Sequence, residues 1–131
     1  MISADTSVIV RYLVGTPVAQ AKRAAALIDG DETVGIAVVA LIETAHVLQT
    51  QYGVDRADVL DVLIELLTRE NVVVLGLSSA NALGALVRAR SIAGSPIGDA
   101  LIVAISREAS ALPLFTFDRD LTRHGFPVAA P

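Results

Sequence analysis

Four acidic residues stand where a catalytic carboxylate would be placed: Asp5, Glu43, Asp99 and Asp118. Asp5 closes a short apolar run. Asp118 follows Leu114-Phe115-Thr116-Phe117. Glu43 lies in the second turn of a helical stretch, and Asp99 in the first turn of another. Carboxylates held together repel and raise one another's pKa, so an ionised cluster needs a cation. The chain has no cysteine, and His46 and His124 are far apart. Oxygen ligands of this kind suit Mg²⁺ or Mn²⁺ better than zinc. Such ions lower the pKa of bound water and neutralise charge on a phosphate; paired ions roughly 3.5–4 Å apart clamp the attacking and leaving oxygens. The chemistry expected of this set is metal-assisted hydrolysis of a phosphodiester.

The elements that would carry these acids follow from periodicity. Ile2 to Asp5, Thr33 to Ala37, Asn71 to Leu75 and Pro113 to Phe117 read as strands, with a possible edge strand in Phe126 to Ala130. Helical spacing covers Ser7 to Val14, Val18 to Ile28, Val38 to Tyr52, Asp55 to Arg69, Ser78 or Ser79 to Ile92, and Gly98 to Ala109. A short turn of helix follows Asp118. In the third helix Val38, Leu41, Ile42, Ala45, Leu48 and Tyr52 make the apolar stripe. Glu43, about 100° round from Ile42, falls at its border. This alternation predicts one α/β domain over residues 1–131, three-layered, with a mainly parallel central sheet flanked by helices. In such sheets ligands bind beyond the carboxyl ends of the strands, where these acids cluster.

Composition sets outer bounds. The chain is 53% hydrophobic and 18% charged, which suits a sheet covered on both faces or a surface hidden in a dimer. Absence of cysteine excludes disulfides and thiolate metal sites. Asp5 and Arg11 interrupt any signal-peptide core, and no run reaches the roughly 20 apolar residues of a membrane span, so a cytoplasmic protein is expected. The net charge of −4 excludes a globally basic nucleic-acid binder, but a loaded metal site reverses its local charge.

Each acid also has a simpler reading. Asp5 can cap a helix, Asp99 can complement a helix dipole, Glu43 can be solvated, and Asp118 and Asp120 can belong to a turn. Coincidence at one sheet edge, not any single residue, favours function. Arg11, Arg119 and Arg123 are candidate phosphate contacts, with solvated side chains as the plain alternative. His46 reads as a partly buried structural histidine. The helices Val18–Ile28 and Asp55–Arg69 are candidate partner surfaces.

Four segments resemble the motifs of PIN-domain proteins, in the family's order: Ser3 to Leu13, Val39 to Leu48, Ile97 to Ala104, and Leu114 to Leu121. Within that group the chain looks most like VapC, the toxin of a toxin–antitoxin pair. The resemblance implies a Mg²⁺- or Mn²⁺-dependent endoribonuclease with Asp5, Glu43, Asp99 and Asp118 as its catalytic, metal-binding quartet. It implies carboxylates supported by Thr6 or Ser7 and by Thr116, a homodimer, an RNA substrate and a cognate antitoxin. Ser7 stands where many relatives carry Asn. Asp120 competes with Asp118 for the fourth role; Asp118 lies nearer the strand end and is preferred. A PIN-like domain that binds RNA or protein without cutting is the alternative. A receiver-type domain fits poorly, because the only lysine, Lys22, lies in an early helix.

Overall fold

The computed structural model describes residues 1–131. The elements run β1 (Ile2–Ser3), α1 (Thr6–Val14), α2 (Val18–Ile28), β2 (Val34–Ala37), α3 (Val38–Thr50), α4 (Arg56–Leu67), β3 (Val72–Leu75), α5 (Ser79–Ser91), α6 (Ile97–Glu108), β4 (Leu114–Phe115), α7 (Asp120–Arg123) and β5 (Val128–Ala129). Every strand pairing is parallel, as the βα alternation predicts. No helix is long and apolar enough to cross a membrane.

The strand β2 is central in a three-stranded sheet ordered β1-β2-β3. Ile2 and Ser3 pair with Val34 and Gly35, and Val34 to Ala37 pair with Val72 to Leu75. Its residues Val34, Gly35 and Ile36 are buried, as expected of a strand covered on both faces. At Gly35 a Cβ would stand 2.9 Å from Leu75 Cδ1, so the Leu75 side chain packs over the bare backbone there and would have to shift to admit one. One face of the chain's 23-residue apolar cluster is built on this sheet, with Ile9, Ile36, Leu41, Leu63 and Leu101 fully buried. Each such side chain contributes about 1.5–3 kcal/mol.

The strands β4 and β5 form a separate two-stranded ladder, so pairing is not continuous across one sheet. The strand expected over Pro113 to Phe117 contracts to two residues. At its end the Thr116 hydroxyl accepts the Asp118 N–H at 3.0 Å, which turns the chain, and Phe117 is left 89% exposed.

The helix α3 positions the site. It follows β2 without a loop and packs on α1, α4 and α6. Its inward face is Val38, Leu41, Thr44, Ala45 and Leu48. Thr44 replaces Ile42 in the expected stripe, and Tyr52 is exposed beyond the helix end. The apolar face of α4 (Val59, Leu60, Leu63, Leu66, Leu67) is buried within the chain. Those α4 residues pack as core, whereas α2, with only Ala24 and Ile28 buried, keeps an open outer face.

Candidate functional site

Asp5 is the N-cap of α1. Its Oδ1 accepts the Ser7 hydroxyl at 2.7 Å and the Val8 N–H at 3.2 Å. Those two donors, the hydroxyl first, hold its pKa below the usual value and fix the carboxylate. Asp5 is exposed and lines an open cleft, so capping leaves its carboxylate accessible. The capping role and the ligand role are therefore compatible, and Ser7 rather than Thr6 supplies the support.

Glu43 is exposed on α3 and faces the same open cleft as Asp5, a space of about 300 Å³. Ser7 and Arg11 also line it. The Arg11 Nε is held by Gln20 Oε1 at 2.9 Å, which steadies a guanidinium beside two acids. A border position on α3 would aim Glu43 into a cleft between helix and sheet; the cleft it lines lies instead between α3 and α1.

The second pair is Asp99 and Asp118. Asp99 opens α6 in its first turn and is partly buried. Burial first, and the charge of Asp118 next, raise its pKa above the usual carboxylate value. Asp118 lies in the loop after β4, and its Oδ1 accepts the Asp120 N–H at 2.9 Å. Asp120 instead pairs with Arg123 at 3.0 Å. This separates the two competitors: Asp118 acts on Asp99, whereas Asp120 is engaged with its own helix.

One helix links the pairs. Glu43 on α3 faces Asp5, while its neighbour Ile42 meets the start of α6, where a Cβ on Gly98 would stand 3.6 Å from Ile42 Cγ2. Asp99 is the next residue along α6. Asp5 and Glu43 thus share one cleft, Asp118 acts on Asp99, and α3 touches the start of α6 through Ile42 and Gly98. No group of three or more acidic or histidine side chains is drawn tightly enough to enclose an ion. Mg²⁺ is commonly bound by one or two carboxylates plus waters and substrate phosphate, and these acids are oxygen donors of the type it takes.

Several other expectations change. His46 is exposed rather than partly buried. Thr116 braces the backbone of Asp118, not its carboxylate. Arg123 pairs with Asp120 in an exposed turn, whereas Arg11 lines the Asp5–Glu43 cleft. Arg56 was not legible as part of the site. Its guanidinium donates to the carbonyls of Ala89 (3.0 Å), Ile92 (3.1 Å) and Ser95 (2.9 Å), tying down the segment that leads into Asp99. No side chain along the sequence marks those carbonyl partners.

A family model described as PIN domain matches residues 2–127, a span that includes all four acids. No curated protein and no solved structure matches the chain. PIN domains are generally nucleases and typically use divalent metal ions. With nearly its whole length matched, the chain belongs to the PIN-domain family and carries that family's nuclease-type character.

Proposed function

We propose that this protein is a Mg²⁺- or Mn²⁺-dependent endoribonuclease, the toxin of a VapC-type toxin–antitoxin pair, with Asp5, Glu43, Asp99 and Asp118 holding the metal. The observation that carries the reading is α3, which joins the Asp5–Glu43 cleft to the start of α6 at Asp99. Bound there, the ion would lower the pKa of a water and offset charge developing on the phosphate. Asp5 enters that task already oriented by Ser7 and Val8. Arg11, beside Asp5 and Glu43, binds a backbone phosphate and holds the strand in register. Asp99, raised in pKa by burial and by Asp118, gains most from a cation that relieves the repulsion.

The toxin role is supported by apolar surface beside the acids. Phe117, next to Asp118, is 89% exposed and Phe115 is 62% exposed, a surface suited to a cognate antitoxin. Val18 on the open face of α2 is 60% exposed and suits a homodimer contact. We place its action in the cytoplasm, with its RNA substrate.

The test is incubation of the purified protein with end-labelled single-stranded RNA. Internal cuts are expected with Mg²⁺ or Mn²⁺ and none in EDTA. Binding without any cut under either ion would replace this reading with a non-cleaving domain, in which Asp5 serves only as a cap. Induced expression is expected to arrest growth, and Asp99→Asn to relieve the arrest.

A further inference from the structure

A second cleft, of about 200 Å³, lies between α5 and α6 and is closed at one side by Phe126. Its floor is apolar, with Ala85, Ala104 and Phe126. Arg88 reaches it from α5 and Arg107 from α6. Neither guanidinium has an acidic partner. Arg88 donates only to the Gly125 carbonyl at 3.3 Å, and Arg107 makes no side-chain bond. The nearest acid in sequence, Glu108, is committed to the Ser78 N–H and to Asn81 Nδ2 at 2.8 Å.

Two further features show that packing alone does not explain this cleft. Ser95 lines it, is fully buried, and its hydroxyl has no hydrogen-bond partner. A buried hydroxyl without a partner is a costly arrangement that a ligand would relieve. Gly84 lines the cleft from the interior of α5, where glycine is the poorest helix former after proline. A Cβ at Gly84 would meet nothing within 4 Å, so no neighbour requires the glycine. Its missing side chain leaves the space open.

We propose that this cleft binds a single nucleotide, with its phosphate between Arg88 and Arg107 and its sugar or base against the apolar floor and the Ser95 hydroxyl. The paired guanidinia supply the fork geometry that phosphate recognition uses. At about 200 Å³ the cleft lies below the range of pockets that enclose a drug-sized ligand, so it seats the phosphate and one face of the sugar or base of a single nucleotide, the rest staying in solvent. Ala100, the residue after Asp99 on α6, also lines it. The choice of a nucleotide as ligand rests on the nuclease reading. Its source is either a residue of the RNA strand or a free nucleoside monophosphate.

Calorimetric titration in EDTA tests this without cleavage, so its failure is separate from failure of the metal site. The probes are adenosine 5′-monophosphate, adenosine, and a short single-stranded RNA used as competitor. The full chain is expected to bind the monophosphate saturably and adenosine at least about 10-fold more weakly, the loss of a charge-assisted contact. Gly84→Leu, which fills the cleft while adding a strong helix former, and Arg107→Ala, which removes a group with no intramolecular bond, are each expected to weaken binding about 10-fold or more. Displacement by RNA identifies the strand as the source; monophosphate binding that RNA does not displace identifies the free nucleotide. No binding of either probe by the wild-type chain, or equal binding by folded Gly84→Leu and Arg107→Ala, overturns the proposal.

Discussion

Asp99 and Asp118, carried by different elements, stand close enough for one carboxylate to oppose ionisation of the other. Burial at the start of α6 is the larger cause, and the two together make Asp99 the least comfortable acid in the chain. A divalent cation would reverse that discomfort.

The Asp99→Asn variant is expected to lose more than about 100-fold in RNA cleavage, beyond the cost of losing an outer-shell partner. Its stability should move the other way in EDTA. The folded pKa of Asp99 lies above its unfolded value, so its contribution is fully present below the unfolded pKa and is lost as pH rises through the folded pKa. Asparagine removes that dependence. Thermal melts at pH 3 and pH 7 should show the variant gaining on wild type at the higher pH.

Asp5 carries two roles that two substitutions separate. Asp5→Asn keeps an oxygen for Ser7 and Val8 and is expected to melt near wild type while losing cleavage. Asp5→Ala loses the cap as well, costing about 1 kcal/mol, or roughly 3–5 °C in Tm. The Asp5 pKa is lowered in the fold, so its stabilisation is present above the unfolded pKa and lost as pH falls through the folded pKa. The two variants should therefore be compared at neutral pH, where the wild-type carboxylate contributes in full.

Asp118 and Asp120 should part company. Asp118→Asn is expected to abolish cleavage and to lower the pKa of Asp99, read by NMR titration of the Asp99 carboxyl carbon. Asp120→Asn removes an exposed pair with Arg123, worth under about 1 kcal/mol, and should leave cleavage near wild type.

Arg56 ties the end of α5 and the following loop through three carbonyl bonds. Arg56→Met is expected to cost about 3 kcal/mol in denaturant unfolding, since hydrogen bonds from charged groups are worth more than neutral ones. Arg56→Lys should recover only part of this, because an ammonium cannot span the three acceptors as a planar fork does.

The legible parts of this fold are those written in local chemistry. Helix α2 runs over Val18–Ile28 as its spacing predicts. Helix α1 stops at Gly15, whose φ of +82° closes the last turn through a bond to the Arg11 carbonyl. Asp5, Asp99 and Asp118 fall at or beside element ends for the same reason. What resists reading is long-range. Thr44 turns inward beside Glu43 because α3 is enclosed by α1, α4 and α6, and apolar counting selects Ile42 instead. The division of the acids into Asp5–Glu43 and Asp99–Asp118 depends on how α3 meets α6, which no local pattern encodes. Arg56 binds carbonyls, and every residue has one.

The most direct measurement is Mn²⁺ affinity by calorimetry for wild type and for Asp5→Asn, Glu43→Gln, Asp99→Asn and Asp118→Asn. If the acids act as one metal site, each substitution weakens Mn²⁺ binding about 10-fold or more. Unchanged affinity in folded variants from either pair, or no Mn²⁺ binding by the wild-type chain, would contradict it.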